Sequence, residues 1–209
     1  MVHYKLTYFD GRGFAEASRQ VFKLAGIEFE DVRLPIASPE WEALKPSTPF
    51  GQLPVLSVDG FEIPQSAAIL RYLARKFGFA GKTPEEEAWV DAIVDQFKDF
   101  MGQYRQYIYA VFLKKPVEEV EKAKTEVAIP ARDAYFKILN GILEKSKSGF
   151  LVGDSVTFAD LVVADNLVTL EKNGFVSNEE HLKIVEFKAK IQNLPKLKEW
   201  IETRPDTPF

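Results

Sequence analysis

Over its first 77 or so residues the chain changes hydrophobic period every few positions, whereas beyond residue 83 it keeps one period to the end. β-Favouring Tyr, Thr and Phe cluster over Tyr4 to Phe9, just before the Gly11-Arg12-Gly13 break, and predict a first strand. Val21, Leu24 and Ala25 then share one face of a helix from Phe14 to Ala25, stopped by Gly26. A second strand, Phe29 to Leu34, runs into a stretch punctuated by Pro35, Pro39, Pro46 and Pro49, read as loop with room for one short helical turn. Two apolar runs, Pro54 to Val58 and Phe61 to Pro64, flank Asp59-Gly60 and predict an antiparallel hairpin. A helix follows with Ser66 as its N-cap and Gly78 past its end at Phe77. The order β-α-β-loop-β-β-α calls for an α/β unit, a small mixed sheet covered by helices.

Gly78 to Lys82 is short and marked by glycine at both ends, so residues 1–77 form a first domain, 78–83 a linker, and 84–209 an all-helical domain. Thr83-Pro84-Glu85-Glu86 supplies an N-cap, a proline at the first helical position and a capping-box glutamate. Val90, Val94, Phe97, Met101, Tyr104, Ile108 and Val111 then recur at three-and-four spacing, the buried face of a helix of roughly seven turns. Pro116 ends it. A second long helix, Val117 to about Lys147, turns Val120, Val127, Ala131, Ile138 and Ile142 inward, and Pro130 predicts a kink within it. Thr157-Phe-Ala-Asp160 starts a third helix so poor in charge from Leu161 to Leu170 that it must be buried all round. Shorter helices, around Glu179 to Gln192 and Pro195 to Thr203, close the chain.

Composition narrows the function. The 209 residues are enough for two small hydrophobic cores. With 27 Lys and Arg against 31 Asp and Glu, the chain has no basic excess to neutralise phosphates, so no nucleic acid partner is expected. The absence of cysteine rules out disulfides, thiolate metal sites and a cysteine nucleophile, and two histidines, His3 and His181, are too few for a His-rich metal centre. No apolar run has the length of a membrane span and the start lacks the features of a signal peptide, so the expectation is a cytoplasmic protein with no membrane partner.

Signatures of nucleotide hydrolysis, dinucleotide binding, serine hydrolysis and zinc proteolysis are missing. Two local features point elsewhere. In Phe50-Gly-Gln-Leu-Pro54, a cis Leu53-Pro54 bond would present the Leu53 backbone N–H and C=O to a bound peptide, although a trans proline at a strand start is the commoner reading. In Pro64-Gln-Ser66, a polar pair meets a helix start, where free N–H groups and a hydroxyl suit a carboxylate; most such serines are only N-caps. Together they would hold a short peptide by its backbone and its free carboxylate.

Several segments carry a family resemblance: Tyr4-Lys-Leu-Thr-Tyr8-Phe9, Gly11-Arg-Gly13 with Ala15-Glu16, Pro49-Phe-Gly-Gln-Leu-Pro-Val-Leu56, Gln65 to Leu73, and Asp91-Ala-Ile-Val-Asp95. The chain resembles, along its whole length, the cytosolic glutathione transferases, specifically the sigma class and its invertebrate branch sometimes separated as nu. Thr157 and Asp160 resemble that family's folding box. The resemblance implies a thioredoxin-like domain followed by an all-α domain, a homodimer, and glutathione as co-substrate without any metal.

By position, Tyr8 matches the tyrosine whose hydroxyl stabilises the glutathione thiolate, a role that needs a hydrogen-bond donor rather than a strong base. Trp41 and Lys45 match residues at the glycine end of glutathione, Gln52, Leu53 and Pro54 those that grip its peptide, and Gln65 and Ser66 those that take its γ-glutamyl carboxylate. Asp99 resembles an acidic residue that reaches the γ-glutamyl amine held by the neighbouring subunit. Phe50 stands where the family often has an aromatic key inserted into its partner, or else is local core. The electrophile site is expected where Gly13 and Phe14 face Met101, Tyr104, Gln106 and Tyr107, with Phe209 as a lid.

Sigma relatives that act as prostaglandin D synthases have Arg at the position of Phe14 and an indole at that of Gln106. The departure favours a broad apolar site. The leading expectation is conjugation of the glutathione thiolate to hydrophobic electrophiles, with hydroperoxide reduction as a side activity. The alternatives are a non-enzymatic carrier of haem or lipophiles and a glutathione-dependent prostaglandin isomerase. Retention of Tyr8, Gln65 and Ser66 argues against a pure carrier, because storing a hydrophobe requires none of them.

Overall fold

The structure, a computed structural model, describes residues 2–207. Strands β1 (Tyr4–Phe9), β2 (Glu30–Leu34), β3 (Val55–Val58) and β4 (Phe61–Pro64) form one sheet in the order β2-β1-β3-β4. β1 runs parallel to β2, with Tyr8 opposite Arg33, and antiparallel to β3, which pairs in turn with β4. Helix α1 (Glu16–Ala25), preceded by a 3-10 turn at Gly13–Ala15, makes the crossover that two parallel neighbours require. Tyr4, Leu6 and Tyr8 alternate onto one face of the sheet and are buried there with Val21, Phe22, Leu56, Ile69 and Leu73.

The proline-marked stretch holds more helix than one turn. Ser38 Oγ accepts from Trp41 N–H at 3.2 Å and Pro39 takes the first helical position, giving α2 (Pro39–Leu44) and a 3-10 turn at Lys45–Ser47. Helix α3 (Ser66–Phe77) begins one residue off the expected place. Gln65, at φ 72°, is the N-cap, and its carbonyl accepts Ile69 N–H at 2.9 Å. Ser66 is therefore inside the helix, and its hydroxyl makes no capping bond.

Helix α4 (Pro84–Phe112) starts as the sequence predicts, with Thr83 Oγ1 accepting from Glu86 N–H at 3.2 Å. The Glu86 carboxylate reaches Lys82 N–H at 2.7 Å rather than the N-cap, so the capping box is displaced by one residue. Val90, Val94, Phe97 and Tyr104 are buried, but Val111 is 47% exposed in the last turn. The long helix expected after Pro116 is divided into α5 (Val117–Lys122), a π-helical turn at Ala123–Ala128, and α6 (Ile129–Lys145). A wider turn just before Pro130 makes room for a ring that would otherwise strike the carbonyl four residues back. The change of phase leaves Ile138 42% exposed, against the expectation that it points inward. Helices α8 (Leu182–Gln192) and α9 (Pro195–Thr203) follow, α8 starting three residues later than predicted.

Helix α7 (Phe158–Lys172) runs through the middle, with Leu161, Val163, Leu167 and Leu170 almost wholly buried. A ladder of rings beside it, Phe100 stacked on Tyr104 at 5.4 Å and on Tyr135 at 4.7 Å, fills the helical core. Helices α1 and α3 pack on α7, which joins the sheet-bearing half to the helical half.

Asp160 fixes the start of α7. Its carboxylate accepts Thr157 N–H at 2.7 Å, Thr157 Oγ1–H at 3.0 Å and Leu151 N–H at 2.8 Å. Asp160→Ala strands two buried backbone donors, and we expect it to lower unfolding free energy by about 2–4 kcal/mol. Urea titration followed by circular dichroism checks this; a loss below about 0.5 kcal/mol would show that the cap is dispensable.

Candidate active site

Tyr8 lies near the end of β1, buried to 8% exposure, with its ring 5.5 Å from that of Phe9. Its hydroxyl accepts a hydrogen bond from Phe14 N–H at 3.2 Å. That contact occupies a lone pair and leaves the hydroxyl proton to be given elsewhere. Burial raises the Tyr8 pKa, opposed by the Phe14 N–H and by the charge of Arg19, so the group stays protonated at neutral pH and acts as a donor. Gly13, at φ +40°, is what allows the approach: a Cβ there would stand 2.6 Å from the Tyr8 oxygen.

A cavity of about 210 Å³ opens beside this hydroxyl. Tyr8, Gly13, Phe14 and Ser66 form the wall from the sheet-bearing half; Val94, Met101, Tyr104 and Ile108 form the wall from α4. Val162, Asn166 and Thr169 of α7 complete it. The lining is largely apolar, which suits a hydrophobic reactant and strengthens any hydrogen bond made at its edge. Phe14, a residue usually found in a core, is 46% exposed at this cavity and contributes its backbone to Tyr8.

Not every predicted residue converges here. Gln106 is exposed and absent from the cavity wall, because two residues along a helix from Tyr104 is more than half a turn round it. Tyr107 turns to Phe175, ring centroids 5.1 Å apart. Phe209 lies outside the described residues. Around the helix start, Gln65 Nε2 donates to Gln52 Oε1 at 3.2 Å, so the two glutamines are neighbours, and the Leu53–Pro54 bond is cis. Trp41 is buried edge-on against Phe9 at 5.4 Å, while Lys45 is exposed. Asp99 is exposed on α4 away from the cavity, and Phe50 is 63% exposed, which excludes local core for that ring.

Sequence reasoning missed the polar side of α7. Asp165 and Thr169 line the cavity, and both are engaged by Arg12, itself only 2% exposed. Polar residues interrupting a helix otherwise fit for full burial were the available signal. Among the described residues no group of three or more His, Asp or Glu is arranged to hold a metal, and no helix is long and apolar enough to cross a membrane.

The mixed four-stranded sheet followed by an all-helical half belongs to a known class. Residues 4–75 match the glutathione S-transferase N-terminal domain and residues 98–204 the glutathione S-transferase C-terminal domain. The chain belongs to the glutathione S-transferase family, enzymes whose co-substrate is glutathione. Glutathione S-transferase 4 of Caenorhabditis elegans is 51% identical to it over 207 residues, 99% of each chain. A Nu-class enzyme of this family from Haemonchus contortus superposes with a TM-score of 0.91 at 52% identity, covering 100% of both chains. A monomeric glutathione S-transferase from the hookworm Necator americanus superposes at 0.92 and 49% identity, covering 99% of this chain and 100% of its own.

Gly13→Ala tests the geometry around Tyr8. The added methyl must displace the hydroxyl or the 3-10 turn, so conjugation of a generic aryl halide should fall by about tenfold or more. Retention of full turnover in the folded variant would show that the close approach has no catalytic weight.

Proposed function

We propose that the chain joins the sulfur of glutathione to hydrophobic electrophiles, with Tyr8 as the catalytic donor and the apolar cavity as the electrophile site. One observation carries the reading: the Tyr8 hydroxyl accepts from Phe14 N–H and so keeps its own proton for a partner at the cavity edge. Donation to a thiolate favours the charged form of the thiol and lowers its pKa. An N–H delivered to the same oxygen makes the hydroxyl a stronger donor. Gly13, Phe14, Met101 and Tyr104 form the electrophile site in this reading, joined by Ile108 and Asn166, and Gln106 has no part in it.

Ser66 and Gln65 take the γ-glutamyl carboxylate at the start of α3, where free backbone N–H groups and the helix dipole favour an anion. The free Ser66 hydroxyl, not spent on capping, supports that role. Gln52 and Leu53 hold the peptide beside Pro54, and Trp41 and Lys45 hold its glycine end, Lys45 by charge. We assign the chain to the sigma-like, nematode nu branch, with residues 1–77 as the glutathione-binding domain, 78–83 as linker and 84–209 as the electrophile domain, acting in the cytoplasm. An apolar Phe14 side chain at the cavity favours broad electrophiles over prostaglandin isomerisation.

Turnover of Tyr8→Phe across pH tests the central role. A thiol of pKa about 8.5 is about 3% ionised at pH 7, and lowering it by two units makes it about three-quarters thiolate. The variant should lose turnover at least several-fold at about pH 6.5 and keep its glutathione affinity, with the defect shrinking towards pH 9 as the unassisted thiol ionises. Equal activity at all pH values, or a defect that ignores pH, would remove Tyr8 from the thiolate.

We further propose an isologous homodimer in which the exposed Phe50 ring docks on the partner and Asp99 completes the partner's glutathione site. Sedimentation velocity should show a species of twice the 23.7 kDa chain mass, and Phe50→Ala should shift it towards monomer. A fully active monomer at micromolar concentration would overturn the proposal; the Necator americanus relative is described as monomeric.

A further inference from the structure

The hydrogen bond from Phe14 to Tyr8 depends on where the backbone of residues 13 and 14 sits, and two buried arginines hold the loop in front of it. Arg19 Nη1 donates to the Gly11 carbonyl at 2.7 Å from within the sheet-bearing half. Arg12 reaches out of that half. Its Nη1 donates to the backbone carbonyl and both carboxylate oxygens of Asp165 at 3.2 Å, and its Nη2 donates to Thr169 Oγ1 at 2.9 Å. The Arg12 carbonyl also accepts Ala15 N–H and Glu16 N–H, at 3.2 and 3.0 Å, and so starts the turn that contains Phe14. One residue thus grips α7 with its side chain and, with its backbone, anchors the turn that carries Phe14.

We propose that Arg12, clamped on Asp165 and Thr169, is a positioning residue that holds Phe14 N–H on the Tyr8 hydroxyl and so sets how strongly that hydroxyl stabilises the glutathione thiolate. The inference rests on the reading of Tyr8 given above. The effect is one of geometry, since the Arg12 charge is matched by Asp165, while Arg204 faces both Asp165 and Glu16. The tolerance is narrow: Gly13 lies so close to the Tyr8 oxygen that a small shift of the loop alters the Phe14 contact. Because Asp165 and Thr169 also line the cavity, the clamp ties the electrophile wall to the thiolate donor.

The test titrates enzyme-bound glutathione by its thiolate absorbance, with no electrophile present. Arg12→Met combined with Asp165→Leu removes both charges of the pair together, which spares the fold an unpaired buried ion. The bound thiol pKa should rise by about half a unit to one unit in that variant. Thr169→Val, which removes a single hydrogen bond, should move it by less in the same direction. Arg12→Lys keeps the charge but loses the two-pronged grip, and it too should raise the pKa. In a Tyr8→Phe background none of these changes should have a further effect. An unmoved thiol pKa in the folded variants would overturn the inference, and so would an equal rise with and without the Tyr8 hydroxyl. If Tyr8→Phe alone leaves the titration unmoved, the reading of Tyr8 falls and the inference with it; a Tyr8 effect without an Arg12 effect overturns the inference alone.

Discussion

Two carboxylates buried where the sheet meets the helices, Glu16 and Asp165, govern how the halves of this protein fit. Glu16 has no exposed surface and accepts from Trp200 Nε1 at 2.7 Å, Arg204 Nη1 at 2.6 Å and Arg19 Nη1 at 3.3 Å. Asp165 accepts from Arg12 and from Arg204, each at 3.2 Å. Burial pushes the Asp165 pKa up and the nearby Glu16 charge adds to that, while Arg12 and Arg204 oppose both. Carboxylates so buried need their cationic partners in place together, so α1, α7 and the segment after α9 must dock in one arrangement. Removing a single partner from a buried pair costs about 3–5 kcal/mol, a large fraction of the stability of a whole domain. Apolar packing fills the interface, but this cluster gives it a register.

That register is what the chemistry needs. The cavity has walls from both halves, so its shape and the place of the Tyr8 hydroxyl within it are consequences of how the halves dock rather than of either alone. An apolar wall supplies little orientation by itself, since its contacts are non-directional. Direction enters at the edge, through the Tyr8 hydroxyl, the start of α3 and the backbone of the turn at Gly13. Broad electrophile tolerance and strict control of the sulfur are therefore compatible: one part of the site is shaped by burial and the other by hydrogen bonds.

Much of this was legible in the sequence, and what was not has physical reasons. β1, the hairpin around Asp59-Gly60 and the start of α4 were readable because turn chemistry and hydrophobic period agree there. Helix α2 was expected only as one short turn because four prolines outweighed Ser38-Pro39, itself a helix-start signal. Pro130 announced a kink, yet the π turn that absorbs it changes the phase of everything after it, and Ile138 ends up outward. Gln106 entered the expected site by resemblance, although helical spacing from Tyr104 already turned it away. The Arg12 and Arg204 contacts, spanning 153 and 39 residues to Asp165, have no local signature. Long-range ion pairs are specified by tertiary docking, which periodicity does not encode.

The size of the thiolate effect shows why so much of the fold serves position. Lowering a thiol pKa by two units raises the thiolate fraction about 25-fold near pH 7. The same shift weakens each thiolate as a nucleophile; with a Brønsted slope near 0.45, taken from thiol exchange, the loss is about eightfold. Ionisation alone then leaves a gain of only about threefold, far below what enzymes achieve. The larger share must come from holding sulfur and electrophile together in a reactive geometry, where effective concentrations are worth several kcal/mol. On the proposed reading, a donor held by Gly13, Phe14 and the Arg12 clamp is suited to that task, because the hydrogen bond that would favour the thiolate would also orient the sulfur.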